Sequence, residues 1–364
     1  GGTLSPPRPG PVRRSRSART LARTPARPAG LRDRAWSRIL GPMRAIQISR
    51  HGGPEVLVPV ELDPPAPGPG EVLVRTTAIG VNFIDTYFRE GIYPRDLPFV
   101  PGSEGAGVVE AVGAEARGLV VGDRVAWCQV PGSYAQYVVA PAEALVAVPD
   151  GVDDPVAASM LLQGLTAHYL ITDTHRAVGG DTVLITAGAG GVGQLLIQMA
   201  VARGFRVITT TSTEEKAGLC RGLGAHHVLL YPDATAERVR ELSDGGVSAV
   251  FDGVGRDTFD TSLASLERRG SLVLFGAASG PVPPVDPQRL NAAGSVFLTR
   301  PTLADYIATA DEYRDRAAEV MGALVDGTLR LTVGATFALS EAADAHRALQ
   351  SRATTGSITL DPTR

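Results

Sequence analysis

The stretch Asp181-Thr-Val-Leu-Ile-Thr-Ala-Gly-Ala-Gly-Gly-Val-Gly-Gln-Leu-Leu-Ile-Gln-Met-Ala200 decides the fold of this chain. Its first six residues, Asp181–Thr186, form an apolar run that predicts a buried β-strand, and the apolar residues after the glycines predict a buried helix. Gly188, Gly190 and Gly193 fall between the predicted strand and the predicted helix with the spacing G-x-G-x-x-G. In that context the spacing is typical of a dinucleotide-binding βαβ unit.

Each glycine of this loop has a separate physical task. Gly188 permits the tight turn after the strand, Gly190 lets the backbone approach a pyrophosphate, and Gly193 lets the helix and the strand pack closely. The free N–H groups at the start of the following helix can then bind the phosphates. The alternative is a glycine turn with a purely structural role.

The end of the next predicted strand, Arg206–Thr211, indicates which nicotinamide cofactor the chain binds. NAD-binding proteins usually carry an acidic residue there that accepts from the ribose 2′-hydroxyl. In this chain hydroxyl groups and a cation follow the strand, which favours the 2′-phosphate of NADPH. Ser212 and Thr213 can donate hydrogen bonds, and Lys216 is the single lysine in a chain with 34 arginines.

Two alternatives remain open for this segment. Glu214 and Glu215 could accept from the ribose of NAD. We interpret them instead as first-turn residues of a helix, with Ser212 and Glu215 forming a capping box. Lys216 could equally be a solvated helix residue.

The chain divides into regions of different periodicity. Short apolar runs separated by turn residues make residues 43–164 β-rich, as in a barrel or a sandwich. Strands and helices alternate over residues 165–301, which predicts a doubly wound parallel sheet of the Rossmann type. Residues 302–364 are too short to fold alone, and we expect them to complete the first domain. The predicted fold class is therefore α/β.

Composition excludes several classes of protein. The chain has 364 residues, enough for two domains, and its 44% hydrophobic and 20% charged residues are typical of globular proteins. Its two cysteines, Cys128 and Cys220, exclude a disulfide scaffold and any zinc site built from three or four cysteines. The sequence contains no apolar run of about 18 residues, so no membrane insertion is expected.

Residues 1–42 form a basic segment with a different composition. They hold ten arginines and one acid, a charge of +9, whereas the 25 basic and 37 acidic residues of 43–364 give −12. The segment is rich in Pro, Ala, Ser and Gly and lacks apolar periodicity, so we predict that it is disordered. It could be a targeting peptide, a nucleic-acid-binding arm, or a dispensable tail or artefact preceding Met43, where the first predicted strand begins.

Ordered motifs along the rest of the chain resemble those of a known family. The motifs are His51–Leu57, Gly80–Tyr87, Gly91–Pro94, Pro101–Gly105, Gly122–Val125, Gln163–Thr166, Ala187–Gly193, Gly253–Asp257, Phe275–Gly276, Thr299–Pro301 and Ser351–Gly356. Together they resemble the zinc-independent quinone oxidoreductases of the medium-chain dehydrogenase/reductase superfamily, the branch that includes zeta-crystallin. The resemblance implies a GroES-like domain from residues 43–164 and 302–364, a Rossmann domain from residues 165–301, and an active cleft between them.

The resemblance also bears on metal binding. In zinc-dependent relatives, Cys, His and Cys would stand where this chain has Asn82, Ser103 and, approximately, Gln163. Without thiolate or imidazole ligands we expect no zinc, and therefore no simple alcohol oxidation.

The same resemblance implies the residues of the site. Asn82 would orient the acceptor or the nicotinamide, and Tyr93 is our candidate donor to the developing oxyanion. The residues expected at the cofactor are Tyr87, Thr166, Gly188, Gly190, Gly191, Val192, Gly193, Ser212, Lys216, Tyr231, Phe275, Gly276 and Arg352. Tyr87 could instead belong to the core, and Arg352 could be a surface residue.

The function predicted from these observations is the NADPH-dependent reduction of quinones by hydride transfer. One alternative is the reduction of α,β-unsaturated carbonyl compounds, and a less favoured one is an RNA-binding, crystallin-like protein. Nucleic acid is an unfavourable partner, because residues 43–364, with a net charge of −12, repel phosphate backbones. We further expect a cytoplasmic homodimer that pairs through the β-prone segment Ser295–Thr299.

Overall fold

The computed structural model describes residues 39–351 and 354–364, and its N-terminal part is rich in β-structure. The elements in chain order are β1 (Met43–Gln47), β2 (Val58–Leu62), β3 (Glu71–Val81), α1 (Phe83–Glu90), β4 (Glu104–Val112), β5 (Arg124–Cys128), β6 (Tyr137–Pro141) and β7 (Val146–Ala147). The central strand β3 pairs antiparallel with β4 and β6, and β5 and β7 extend the sheet beyond β4. The strands β1 and β2 form a separate antiparallel pair.

The middle of the chain forms a parallel sheet with helices between its strands. The elements are α2 (Asp154–Asp173), β8 (Thr182–Ile185), α3 (Gly191–Ala202), β9 (Arg206–Thr211), α4 (Glu214–Gly222), β10 (His227–Leu230), α5 (Ala236–Leu242), β11 (Val247–Asp252), α6 (Phe259–Ala264), β12 (Leu266–Leu274), α7 (Gln288–Ala292) and β13 (Phe297–Thr299). The spatial order β10-β9-β8-β11-β12-β13, with all pairs parallel, is that of a doubly wound Rossmann sheet. The predicted fold class is confirmed.

The C-terminal residues return to the first sheet. They form α8 (Leu303–Tyr306), α9 (Ala310–Val325), β14 (Val333–Ala338), α10 (Ala342–Gln350) and β15 (Ser357–Asp361). The last strand, β15, lies between β14 and β3, and its residue Ile358 is opposite Val81 of β3. The neighbouring strands β3 and β15 are the first and the last of this sheet in chain order, so the sheet joins distant parts of the described chain.

The helix α2 packs against both sheets and forms the centre of the molecule. It is apolar on all sides, and 14 of its 20 residues are buried, as expected of a helix that solvent does not reach. One hydrophobic cluster includes Met160 and Leu165 of α2, Ala106 of the first sheet and Ile185 of the second. Because the two sheets share this core, α2 fixes the positions of the side chains that point from it towards either domain.

Some predictions fall outside the described residues or are not tested by them. The predicted disordered extension covers residues 1–42, and residues 1–38 of it lie outside the described residues. Arg352 also lies outside them. The predicted domain limit at 164/165 falls within α2, and the domain limits stay a prediction. Within the described ranges, no helix is long and apolar enough to cross a membrane.

Candidate active site

In the glycine loop between β8 and α3, Gly188 and Gly193 lie where a side chain would collide with neighbouring atoms. A Cβ atom on Gly188 would lie 2.1 Å from the Thr209 Oγ1 atom of the neighbouring strand β9. A Cβ atom on Gly193 would lie 2.4 Å from the Ala187 carbonyl oxygen. Both distances are too short for real contacts, so these two glycines allow the loop, β9 and α3 to pack as the fingerprint predicts.

The start of α3 presents backbone N–H groups without a side-chain cap. Its N-cap residue is the exposed Gly190, which has no side chain that could accept a hydrogen bond from the first turn. The N–H groups of Gly191, Val192 and Gly193 belong to this turn, and such groups are suited to bind an anion. The loop therefore fits a pyrophosphate, and the individual contacts stay predictions.

The residues predicted at the 2′-phosphate lie near the carboxyl ends of β9 and β10. Ser212 is exposed directly after β9, Lys216 lies in the first turn of α4, and Tyr231 follows β10. Tyr231 also lines a cavity of about 280 Å³ together with Thr210 and Thr258. The cavity opens where the parallel strands end, which is where nucleotides bind in folds of this type.

The predicted capping box of α4 is wrong by one residue. The N-cap is Thr213 rather than Ser212, and its Oγ1 atom accepts a hydrogen bond from the Lys216 backbone N–H at 3.3 Å. The residue three positions after Thr213 is Lys216, which cannot return a bond as a glutamate would. Ser212 is therefore not used as the cap, and the predicted role of its hydroxyl group at the cofactor is compatible with the structure.

A larger depression of about 730 Å³ lies at the other end of the parallel sheet. It is lined by Arg240, Arg268 and Arg269 and by residues of and after α7. Because it lies at the amino end of β12, away from the glycine loop, it does not belong to the candidate site.

Phe275 and Gly276 follow β12 and pack against the end of β11. A Cβ atom on Gly276 would lie 2.3 Å from the Gly253 carbonyl oxygen, so the two turns are in close contact. The buried Asp252 organises this corner, because its Oδ1 atom accepts from the Val254 backbone N–H at 2.9 Å. The structure thus places Phe275 and Gly276 at the same sheet edge as the glycine loop, whereas the role of Asp252 was not predicted.

Asn82 lies at the start of α1 and is held from two sides. Its backbone N–H donates to Asp85 Oδ2 at 2.9 Å, and its side-chain Nδ2 donates to Glu104 Oε2 at 2.7 Å. Its Oδ1 atom accepts from Gln163 Nε2 at 3.4 Å, and Gln163 Oε1 accepts from the Ser357 hydroxyl at 2.7 Å. Four segments of the chain therefore meet in one buried chain of hydrogen bonds.

Glu104 is the acceptor at the end of this chain and was not predicted. It is fully buried, and its Oε1 atom accepts from the Leu162 backbone N–H at 2.7 Å. Burial raises the pKa of Glu104 to about 8, although the hydrogen bonds from Leu162 and Asn82 act in the opposite direction. The sequence signal that could have identified it is a carboxylate at the start of an otherwise apolar strand.

The two tyrosines predicted near the nicotinamide lie together at the end of α1. The rings of Tyr87 and Tyr93 meet edge to face with centroids 5.5 Å apart. Burial raises the pKa of Tyr87, while a hydrogen bond with the Ala277 backbone lowers it. That bond joins α1 to the turn after Gly276, so Tyr87 bridges the two domains, whereas Tyr93 is 37% exposed.

The buried Thr166 lies in α2, and its hydroxyl group donates to the Leu162 carbonyl oxygen at 2.7 Å. Its hydroxyl proton is therefore used within the helix, and a cofactor could use Thr166 only as an acceptor or through its methyl group. The predicted contact of Arg352 lies outside the described residues.

A second buried chain of polar groups starts at Asp85 and was not predicted. Tyr134 donates to Asp85 Oδ2 at 3.2 Å and contacts His346 Nε2 at 2.9 Å, while Arg89 contacts His346 Nδ1 at 3.0 Å. Burial raises the pKa of Asp85 to about 6 and lowers that of His346 to about 3. The chain joins α1 to α10 directly beside Asn82.

Three positions of this chain correspond to the zinc ligands of zinc-dependent relatives, and the side chains found there do not fit zinc. Asn82 and Gln163 bond to each other and to Glu104 and Ser357, and Ser103 donates to Asp85 Oδ1 at 3.3 Å. Amide and hydroxyl groups that are committed to hydrogen bonds are poor zinc ligands compared with thiolate and imidazole. In the part of the chain that the structure describes, three or more His, Cys, Asp or Glu residues nowhere cluster as a metal site.

Two families match successive parts of the chain. Residues 68–150 match the alcohol dehydrogenase GroES-like domain, and residues 191–323 match the zinc-binding dehydrogenase family. A GroES-like domain followed by a Rossmann domain, with the candidate site where they meet, defines a medium-chain dehydrogenase/reductase.

Similar proteins narrow this class. The quinone oxidoreductase of Pseudomonas aeruginosa is 47% identical over 323 residues, which are 88% of this chain and 99% of that protein. The 2-haloacrylate reductase of a Burkholderia species is 44% identical over 329 residues, 87% of this chain and 98% of that protein. A mycobacterial protein solved with NADPH is 55% identical, with a TM-score of 0.86 over 88% of this chain and 100% of that one. The chain belongs to the quinone oxidoreductase family of the medium-chain dehydrogenases/reductases, as its motifs predicted.

Proposed function

We propose that the protein reduces quinones with NADPH in the cleft between its two domains. The observation that carries this proposal is the position of Gln163. Its Nε2 atom lies 3.4 Å from Asn82 Oδ1, and its Oε1 atom would lie 2.0 Å from a Cβ atom on Gly191. The predicted acceptor-binding residue and the dinucleotide loop are therefore one side chain apart. The similarity to a quinone oxidoreductase and to a protein solved with NADPH supports the same function.

The described residues offer a place for each part of NADPH. The first turn of α3 would hold the pyrophosphate, the cavity beside Tyr231 the adenine end, and Ser212 with Lys216 the 2′-phosphate. The residues proposed at the nicotinamide end are Tyr87, Thr166, Phe275 and Gly276. When bound, NADPH supplies a hydride to the acceptor.

The chain's own residues have to orient the acceptor and exclude water. Asn82 is 5% exposed, and one of the two hydrogens on its Nδ2 atom binds Glu104. We assign the other hydrogen to the acceptor oxygen, on which negative charge develops during reduction. Tyr93 is the proposed second donor, and its ring, together with that of Tyr87, would cover this side of the cleft.

Steady-state rates with a panel of quinones and a panel of enals, each with NADPH and NADH, test the proposal. We expect quinones and NADPH to be preferred. We also expect Asn82→Ala to lower kcat by about tenfold to a hundredfold, the effect of one hydrogen bond to a charged group. A clear preference for enals would overturn the assignment of quinones as substrates.

The second candidate function is the reduction of α,β-unsaturated compounds. It is supported by the 44% identity to a 2-haloacrylate reductase, because the same cleft would accept a conjugated carbonyl or carboxylate. The same two panels, extended by a 2-haloacrylate, separate the candidates by their kcat/KM values.

We also propose a homodimer that forms through the edge strand β13. Among the described residues β13 pairs only with β12, and Phe297 is 43% exposed at this edge. An exposed edge strand is prone to pair with another chain, so pairing with a second copy is a physically reasonable use of it.

A cytoplasmic location is proposed on the basis of the cysteines. Cys128 and Cys220 are both free thiols, as is usual in reducing compartments. Fractionation of the source cells against a cytoplasmic marker enzyme tests this proposal, and recovery in a membrane or secreted fraction would contradict it.

A further inference from the structure

We propose that Glu104 is a positioning residue that fixes the orientation of the Asn82 side-chain amide and thereby directs an N–H group towards the acceptor. The proposal rests on the proposed function, because it assigns the Asn82 amide to the acceptor oxygen. Glu104 itself touches neither the cofactor loop nor the assigned acceptor position. It acts through Asn82.

The hydrogen-bond chain has a direction that its terminal residue determines. The Ser357 hydroxyl donates to Gln163 Oε1, Gln163 Nε2 donates to Asn82 Oδ1, and Asn82 Nδ2 donates to Glu104 Oε2. A primary amide can donate or accept on either side once it rotates by 180°, and a hydroxyl group can do both. Neither Asn82 nor Gln163 can therefore set the direction, whereas an ionised carboxylate can only accept.

The surroundings of Glu104 hold its carboxylate in place. Its second oxygen is bound by the Leu162 backbone N–H, which cannot reverse its role. On the opposite side, Gly80 provides the necessary space, because a Cβ atom there would lie 2.8 Å from Glu104 Oε2 and 2.3 Å from the Ala158 carbonyl oxygen. Glu104 is therefore held in one position, in which the oxygen that Leu162 does not bind accepts from Asn82.

The other end of the chain reaches the dinucleotide loop. Gln163 packs against Gly191, and the Gly356 backbone N–H donates to the Ala189 carbonyl oxygen at 3.3 Å, next to Ser357. The chain of bonds thus begins at Ser357, beside the cofactor loop, and ends at Glu104, with Asn82 as the last amide before it.

Protonation of Glu104 would remove the fixed direction. A neutral carboxyl group has its own proton to donate, and Leu162 already occupies Oε1, so that proton lies on the oxygen that faces Asn82. Three titratable groups surround Glu104: Asp85 of α1 raises the pKa of Glu104, and Glu104 in turn raises the pKa of Cys128 of β5 and of Tyr313 of α9. We therefore expect kcat to rise with pH as Glu104 ionises.

The first test compares Glu104→Gln with the wild type. The glutamine is isosteric, but it has a donor where the carboxylate accepts, so the amides of Asn82 and Gln163 reverse. At a pH above 8, where Glu104 is ionised in the wild type, we expect kcat with a quinone to fall about tenfold to a hundredfold and the Kd for NADPH to change less than threefold. The rise of kcat with pH should also disappear in the variant. Glu110→Gln is the matched control, because Glu110 lies on the same strand with its side chain 33% exposed.

A double variant separates positioning from stability. In Asn82→Asp with Glu104→Gln the carboxylate and the amide exchange places, so every bond of the chain can form, but position 82 has no N–H group. We expect thermal stability to recover towards the wild-type value while kcat stays low. Recovery of kcat in the double variant, or an unchanged kcat in Glu104→Gln, would overturn the proposal.

A spectroscopic readout keeps this test independent of the substrate. The chain contains only two asparagines, Asn82 and the exposed Asn291, so selective ¹⁵N-asparagine labelling limits the side-chain amide signals to two NH₂ groups with two proton signals each. Asn291→Gln assigns them. Above pH 8, we expect one Asn82 amide proton to show the downfield shift of a bond to the ionised carboxylate and to lose it in Glu104→Gln. If the Asn82 signals do not change, the positioning role is wrong, whereas an enzyme that reduces neither panel contradicts the proposed function alone.

Discussion

At the scale of single residues, Lys216 is the clearest test of cofactor choice. Thr213 caps its backbone, so the side chain is not needed to start α4. We predict that Lys216→Ala weakens NADPH binding by about 1.5–3 kcal/mol, the range of a hydrogen bond to a charged group, and leaves NADH binding nearly unchanged. Binding of each cofactor is measured by titration of the nicotinamide fluorescence.

Arg221→Ala serves as the control for Lys216. Arg221 lies on the same helix and forms an exposed ion pair with Glu214 at 2.6 Å, so its loss removes one positive charge from this helix but keeps the Lys216 cation in the first turn. If Lys216→Ala weakens both cofactors equally, Lys216 serves the fold rather than the phosphate.

Residues whose roles depend on segments adjacent in the sequence could be predicted from the sequence. Gly188 and Gly193 could be assigned because the strand and the helix that they separate are adjacent in sequence. Glu104 and Ser357 could not, because their partners Asn82 and Gln163 come from distant segments and meet only in the folded molecule. The misplaced cap of α4 has a local cause: two neighbouring hydroxyl residues compete for one position.

At the scale of elements, a buried polar chain holds α1 against α10. Arg89 can only donate, so His346 Nδ1 accepts from it and Nε2 carries the proton that binds Tyr134. Tyr134→Phe leaves the His346 donor and an Asp85 acceptor without this hydroxyl group. We predict a loss of about 1–3 kcal/mol of unfolding free energy, measured as a lower midpoint of thermal unfolding. The half-buried Tyr137→Phe is the control and should change the midpoint far less.

The same chain predicts a dependence of stability on pH. Burial, and secondarily the Arg89 charge, lower the pKa of His346 to about 3 from its ordinary 6.5. Between these values the unfolded chain binds the proton and the native protein does not, so the contribution of His346 is complete above pH 6.5 and is lost as pH falls towards 3. His346→Gln keeps an acceptor for Arg89 and a donor for Tyr134. We expect its midpoint to fall less between pH 7 and pH 5 than that of the wild type, and an equal fall would contradict this account.

Elements with regular apolar patterns were predicted, and short or charged ones were not. The apolar periodicity of α9 indicates a helix only from Ala317 onwards, whereas the helix begins at Ala310, because its first turns carry charges that obscure the pattern. The helices α7 and α8 span only five and four residues, too few for a periodic pattern. The strand β15 has only five residues, and its position next to β3 could not be read from its neighbours in the chain.

At the scale of the whole molecule, the edge of β13 allows a test of assembly. We predict that the protein sediments at twice its chain mass of 37.9 kDa at micromolar concentration. Phe297→Glu would place a charge at the proposed interface and should give a monomer that still binds NADPH. Val325→Glu changes an apolar residue on α9 that is even more exposed and should leave the dimer intact. A wild-type monomer would contradict the proposed dimer.

The opposite charges of residues 1–42 and residues 43–364 lead to a second prediction at the scale of the whole molecule. A chain shortened to residues 43–364 keeps the whole of β1 and should retain full NADPH oxidation. It should lose any affinity for nucleic acid, because only the segment with a charge of +9 attracts phosphates without a base preference. Reductase activity and RNA retention of both chains at low and physiological salt provide the measurement. Tight RNA binding by the shortened chain, without reductase activity, would favour the RNA-binding alternative.

The pairing of β15 with β3 sets an order of events during synthesis on the ribosome. At about 5–20 residues per second, residue 358 is translated tens of seconds after residue 81. In that interval all six strands of the parallel sheet are made, while the β3 backbone that faces β15 has no neighbour and is open to wrong partners. The domain that is translated first is therefore completed last, and a nascent chain that stops before β15 leaves it unfinished beside a complete Rossmann sheet.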